Sequence, residues 1–430
     1  MSSIYRNKES GKEVKKAEVS VHFSVHRKEV EIMKKLLSLI LGGFIIFLCF
    51  SLDVMAKDKI RIGFSMSLTG IYAPAAEGQM QAYQLWLEDV NKKGGIFVKE
   101  LNRRIPAEFV YYDDASSTDT SVKVHEKLIT SDKVDLLLGP YGTTNAFAAV
   151  PIAEKYKAPI FMSTGSSIKI RDLGAKYVWF PTSCIPDRQM QALVNLLRAN
   201  KTQIKNVAIL YLQELYPREN LQFLEPELKK AGIEVVLKKD YPMGVKDLST
   251  LLSEVKAKNP DGVIVLCYAA DSFVFTAQAK EVGLNPKFLF ELVGPAAVAF
   301  GPKFGANAEG ISTMGHWSPK GKWLDAQGFH DRYIAKFNKK PDYLNSVLAY
   351  MAGQILEQAV EKAGTLNWEK IRETVSTQEF MTINGPVSFT GTENRRTPSM
   401  ILQWQKDWLE IICPPETATK DPLIPKPPWK

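Results

Sequence analysis

Three short segments bring hydroxyls and glycines together directly after an apolar run. They are Ser67-Leu68-Thr69-Gly70, Gly139-Pro140-Tyr141-Gly142-Thr143-Thr144 and Ser163-Thr164-Gly165-Ser166-Ser167. Helical spacing follows the first at Met80, Tyr83, Trp86, Leu87 and Val90, and the second over 146–156. A strand ending in such a turn delivers hydroxyls to the mouth of a helix, where the first N–H groups have no internal partner. That spot favours a carboxylate or phosphate. One such turn would equally serve as an ordinary capped connection; three on one sheet edge make a candidate anion pocket. The corresponding turns of the second half are Glu214-Leu215-Tyr216, Tyr268-Ala269-Ala270-Asp271 and Glu291-Leu292-Val293-Gly294. They offer carboxylates and aromatic rings. A hydroxyl-lined wall facing an acidic, aromatic wall suits a small zwitterion held between two domains.

Catalytic sets are not evident. His125, His316 and His330 are the histidines after residue 56, and they lack metal-ligand spacing. The sequence contains neither a G-x-S-x-G elbow nor a P-loop, and no cofactor or metal motif. Asp113-Asp114 follows a strand, as paired acids in a phosphatase would, but no further carboxylates cluster beside it. Binding rather than catalysis is the expectation.

The elements that must position these turns alternate. Strands are expected over 60–64, 105–111, 134–138 and 159–162, with helices over 121–131 and 146–156. The rhythm then restarts with strands over 207–212, 233–238, 262–266 and 287–290, and helices over 219–231, 248–258 and 273–282. Short apolar strands between amphipathic helices predict parallel sheets covered on both faces. Two sheets joined near Phe180–Pro186 fit a chain of 430 residues, too long for one ordinary core. A long helical stretch over 329–362 and a strand over 399–405 come next, and the proline-rich tail 414–430 is expected to be irregular. Ligands of open α/β sheets bind beyond the carboxyl ends of the strands, where all six turns lie.

A charged share of 24% and a net charge of +8 are those of a globular protein with spread lysines. No basic stripe with interleaved aromatics appears, so nucleic acid is not expected as a partner. Met33-Lys34-Lys35, the apolar run 36–52 and Val54-Met55-Ala56 read as a secretory signal peptide within a leader of residues 1–56. Cleavage is expected near Ala56, with translation starting at Met33; the competing reading is an uncleaved anchor. Cys184, Cys267 and Cys413 would then remain, an odd count that leaves at least one free thiol.

Several short pieces, in order, resemble the periplasmic substrate-binding proteins of branched-chain amino-acid (leucine/isoleucine/valine-type) ABC transporters. They include Leu68-Thr69-Gly70, 90–96, Tyr112-Asp113-Asp114-Ala115, Leu138-Gly139-Pro140, Asp247-Leu248-Ser249, Ala308-Glu309-Gly310 and Gly385-Pro386-Val387-Ser388-Phe389. The resemblance spans 57 to about 410. It implies an α/β type I periplasmic-binding-protein fold, with two doubly wound lobes joined by three crossovers. Lobe 1 would be 57–182 and 318–384, and lobe 2 183–317 and 385–430. The implied protein is a periplasmic monomer without cofactor, which captures an amino acid or related small carboxylate and delivers it to an ABC permease. A membrane-tethered receptor of the same fold is the alternative. By the same resemblance Thr143, Gly165 and Ser167 hold the ligand's carboxylate, and Tyr216 and Tyr268 supply rings. For the acid facing the ammonium, simple counting places Leu292 at the family position; Glu291 lies one residue away and Asp271 is a substitute. Thr69 in the first turn and bulky Tyr141 near the mouth complete the candidate site. Some members carry a first-lobe disulfide, and here that region has Ala115, Ser116 and Gly142 instead.

Overall fold

The computed structural model describes Met33 and residues 57–182, 185–297 and 299–430. The leader reading therefore lies outside the described residues, apart from an exposed Met33. Residues 59–430 form one compact unit built around two sheets. The first sheet has five parallel strands: β1 (Ile60–Met66), β2 (Ala107–Asp113), β3 (Leu136–Leu138), β4 (Ile160–Phe161) and β5 (Val178–Trp179), in the order β2-β1-β3-β4-β5. The second has seven: β6 (Asn206–Leu212), β7 (Glu234–Tyr241), β8 (Gly262–Leu266), β9 (Phe288–Glu291), β10 (Ile311–Gly315), β11 (Met400–Gln405) and β12 (Trp408–Cys413). Their order is β12-β11-β10-β9-β8-β6-β7, with β6 to β10 parallel and the β11–β12 hairpin antiparallel at one edge.

β3 (Leu-Leu-Leu) and β8 (Gly-Val-Ile-Val-Leu) are apolar without alternation, as strands covered on both faces are, and β1 is buried at six of its seven positions. Ile60, Ile62, Phe64 and Met66 are all fully buried, and a Cβ on Gly63 would stand 2.9 Å from Val134. The covering helices of the first half are α1 (Ala73–Lys92), α2 (Thr118–Thr130) and α3 (Thr143–Tyr156). Those of the second are α4 (Pro186–Ala199), α5 (Leu215–Ala231), α6 (Ser249–Ala257) and α7 (Ala269–Glu281), followed by α8 (Ala326–Phe337), α9 (Asn345–Ala363) and α10 (Trp368–Thr377). α1 starts on a proline in its first turn, where the missing N–H costs nothing, and stops at Gly94-Gly95, both at positive φ. α9 runs against α1 so closely that a Cβ on Gly353 would meet the Trp86 ring at 2.4 Å.

Expected and observed elements differ mainly at helix starts. α3, α5 and α7 begin three or four residues earlier than apolar spacing suggests, at Thr143, Leu215 and Ala269. The first turns of α3 and α7 are polar or small and that of α5 carries Pro217, so periodicity does not reveal them, yet the backbone is already helical. The stretch 329–362 is two helices, α8 and α9, broken around Pro341 and Asp342. The helices α4 and α10 and the strands β5, β10 and β12 were not expected from the spacing. The tail beyond Cys413 has neither helix nor strand.

The chain segments running between the sheets are tied together. Phe180 pairs with Glu393 in a parallel bridge, the Phe180 N–H donates to Thr392 O at 3.0 Å, and Asn394 Nδ2 donates to Pro181 O at 2.6 Å. Trp317, fully buried after β10, donates its indole N–H to Ile383 O at 3.0 Å.

Candidate ligand-binding cleft

The carboxyl ends of the two sheets face one another across a cavity of about 40 Å³. From the first sheet come Tyr141, Gly142 and Thr143 after β3, and Thr164, Gly165 and Ser166 after β4. From the second come Tyr216 in the first turn of α5, Tyr268 after β8, Val293 after β9 and His316 after β10. Thr182 and Gln189 flank the first crossing, and Leu344, Asn345 and Leu348 start α9.

Backbone shape sets the first-sheet side. Gly142, at φ +90°, donates its N–H to Thr164 Oγ1 at 3.0 Å, and that hydroxyl donates on to Gln79 Oε1 at 3.1 Å. Thr143 is the first residue of α3, and its hydroxyl accepts the Ser166 N–H at 3.1 Å, locking the two turns together. Gly165 is required twice over. Its φ is +114°, and a Cβ there would lie 3.0 Å from Ala146 and 3.1 Å from Phe180.

The opposite side is aromatic. Tyr216 Oη donates to Gln189 Oε1 at 2.7 Å. Tyr268 is 8% exposed, and its hydroxyl has no partner among the described residues. Tyr72 packs on both Tyr141 and Tyr268 with ring centroids 5.8 Å away in each case, and Tyr216 lies 6.3 Å from Tyr268. Burial holds the His316 imidazole down to about 3, so it is neutral. Behind Asn345, the buried Asp342 carboxyl accepts from the Leu344 and Asn345 N–H groups and from Asn345 Nδ2, each at 2.7 Å; burial pushes its pKa up to about 7.

Of the nine candidate residues, Tyr141, Thr143, Gly165, Tyr216 and Tyr268 converge on this cavity. The other four lie elsewhere. Thr69 is exposed and donates to Asp113 Oδ2 at 2.7 Å. Ser167 donates to Glu219 Oε1 at 2.8 Å, and the neighbouring Ile168 N–H reaches Glu219 Oε2 at 3.2 Å. Glu291 lies under α7, accepting from Ser272 Oγ and from Thr276 Oγ1 at 2.7 Å; burial pushes its pKa up to about 7. Asp271 lines a neighbouring cavity of about 170 Å³ with Tyr72 and Val274, and burial pushes it up to about 6. Sequence reasoning passed over Thr182, Gln189, Asn345 and the inward placement of His316. Pro341, which breaks the α8–α9 stretch, was the available signal for Asn345. Among the described residues no group of three His, Cys, Asp or Glu side chains could hold a metal ion. No described helix is long and apolar enough to cross a membrane.

Known proteins share this architecture. Leu/Ile/Val-binding protein homolog 7 of Brucella melitensis is 21% identical over 388 residues, covering 86% of this chain and 95% of its own. Isoleucine-bound LivJ, a branched-chain amino acid transporter substrate binding protein from Streptococcus pneumoniae, superposes with a TM-score of 0.74 at 22% identity, over 83% of this chain and 100% of its own. A benzoate-bound solute binding protein of an ABC transporter from R. palustris does so with a TM-score of 0.73 at 20% identity, over 85% and 99%. The family model described as periplasmic binding protein matches residues 59–407, so with its two α/β sheets and the cleft between their carboxyl ends the chain belongs to the periplasmic binding protein family.

Proposed function

We propose that this chain is an extracytoplasmic solute-binding protein that captures an amino acid or related small carboxylate in the cleft and delivers it to an ABC permease. The observation carrying this reading is the cavity itself. Hydroxyl and glycine turns of one sheet meet the tyrosines of the other at the strand ends, where α/β sheets bind ligands. Residues 57–182 and 318–384 form lobe 1, and 183–317 and 385–430 form lobe 2. Thr143 and Gly165 receive the ligand's carboxylate, and Tyr141, Tyr216 and Tyr268 pack around its body. A cavity of about 40 Å³ is far below the ~150 Å³ that accepts a benzene ring, so the lobes part to admit ligand. Closure follows if the ligand binds the closed state more tightly than the open one.

A thermal-shift screen against amino acids and small carboxylates tests the reading, because a ligand of the folded form raises Tm. If no compound of either class shifts Tm, the reading fails. N-terminal sequencing of exported protein distinguishes a cleaved leader, starting at Lys57, from a tethered receptor that retains it.

A further inference from the structure

The fifteen residues lining the cleft cavity include no Asp, Glu, Lys or Arg. The residues of 59–430 outside the description are Ser183, Cys184 and Val298, and none is an acid. The surrounding carboxylates are engaged or lie outside the cavity. Glu291 is held by Ser272 and Thr276 beneath α7. Glu219 is held by Ser167 and the Ile168 N–H. Asp342 is held by two N–H groups and the side chain of Asn345. Asp271 lines the neighbouring cavity, and Glu214, ahead of α5, is partly exposed and does not line the cleft.

An ammonium brought into this lining would meet hydroxyls, the amides of Gln189 and Asn345, the neutral His316 imidazole, backbone carbonyls and ring faces, but no carboxylate. Ring faces compensate a cation only in part, and a buried charge lacking a charged or fully hydrogen-bonded partner is costly. A carboxylate fares differently. The first turn of α3 begins at Thr143 with N–H groups that have no partner within the helix. The buried Tyr268 hydroxyl, without a partner among the described residues, offers a further donor from the opposite side. Tyr141, Tyr216 and Tyr268 line the remaining space, and Tyr72 braces two of them.

We infer that the ligand of this cleft is an aromatic monocarboxylate without an ammonium group. Its carboxylate sits on the Thr143–Gly165 side and its ring among Tyr141, Tyr216 and Tyr268. The inference rests on the solute-binding reading above and narrows its ligand class.

Calorimetry on the purified protein with matched pairs decides it. The pairs are 3-phenylpropanoate against phenylalanine and 4-methylpentanoate against leucine, each differing only in the amino group, with benzoate and 4-hydroxybenzoate alongside. The aromatic acids should bind, and phenylalanine should bind more weakly than 3-phenylpropanoate by roughly 30-fold or more, the effect of one unpaired buried charge. Phenylalanine or leucine binding as tightly as its deaminated partner would overturn the inference and leave the solute-binding reading intact. 4-Methylpentanoate binding more tightly than every aromatic acid would overturn the aromatic assignment. Binding of no compound at all would overturn both.

Discussion

Replacing Glu219 with alanine asks whether the protein's own groups clasp the cleft shut. Glu219 stands on α5, the helix that carries Tyr216, and is 6% exposed. Its carboxylate accepts the Ser167 hydroxyl at 2.8 Å and the Ile168 N–H at 3.2 Å, both in the segment after β4. The contact therefore joins a helix of the second sheet to a turn of the first. Hydrogen bonds to a charged group contribute roughly 1.5–3 kcal/mol each. The second bond is long, and water replaces both when the cleft opens, so the net preference for the closed form is about 2 kcal/mol. Losing it lowers the closed fraction, and apparent affinity falls with the competent fraction. A ligand that binds the closed form should lose affinity by up to about 30-fold, less where the unliganded parent is already largely closed. Calorimetry measures that loss, and small-angle scattering should show a larger radius of gyration for the unliganded variant. Ser167→Ala removes only the shorter of the two bonds and should lose less, and the double variant should match Glu219→Ala, which already removes both. Tighter binding by Glu219→Ala would refute the reasoning: Glu219 would then be a stand-in for the ligand's carboxylate at Ser167. Unchanged affinity with unchanged scattering would refute it as well.

Three further outcomes are expected. Gly165→Ala forces a side chain to φ +114° against Ala146 and Phe180 and should cost about 2 kcal/mol. Gly174→Ala, at φ +65° in open space, should cost about 1 kcal/mol; equal urea midpoints for the two would deny the crowding. Glu291 has a folded pKa near 7, above its unfolded value of 4.5, so its contribution is complete below pH 4.5 and is lost as pH rises through 7. Glu291→Gln should therefore gain on the parent between pH 5 and 8 in denaturant titrations, and a constant difference across that range would count against the buried, neutral acid. Glu393 is fully buried and accepts from Arg171 at 3.4 Å, Arg188 at 2.8 Å and Arg395 at 3.0 Å. Because the arginines are partly exposed, Glu393→Ala should cost about 2 kcal/mol rather than the 3–5 of a fully buried pair. A melting temperature equal to the parent's would show that this hub does not hold the crossings together.

Much of the scaffold was readable along the chain. The apolar run of β1, the Gly94-Gly95 stop of α1 and the restart of strand–helix alternation at β6 depend on residues two to four positions apart, and that spacing is visible in a sequence. Helix starts were less legible. α3 begins at Thr143 in a polar turn that lacks an apolar stripe, and only its backbone hydrogen bonds mark it as helix. Tyr216 and Tyr268 could be placed at the cleft because each directly follows a strand of the parallel sheet. Asn345 could not, since its position depends on the break between α8 and α9.

By itself the sequence determined the two-sheet α/β plan and the hydroxyl-rich and aromatic turns at the strand ends, because local periodicity and turn composition are short-range properties. Only the tertiary structure decided which groups those turns meet. Ser167 finds Glu219, 52 residues away, and Glu291 finds Thr276 beneath α7 rather than the cavity. Gln189, His316 and Asn345 reach the same cavity from three separate chain segments. A side chain's partner follows from the packing of whole helices against sheets, and residue spacing along the chain carries no record of it.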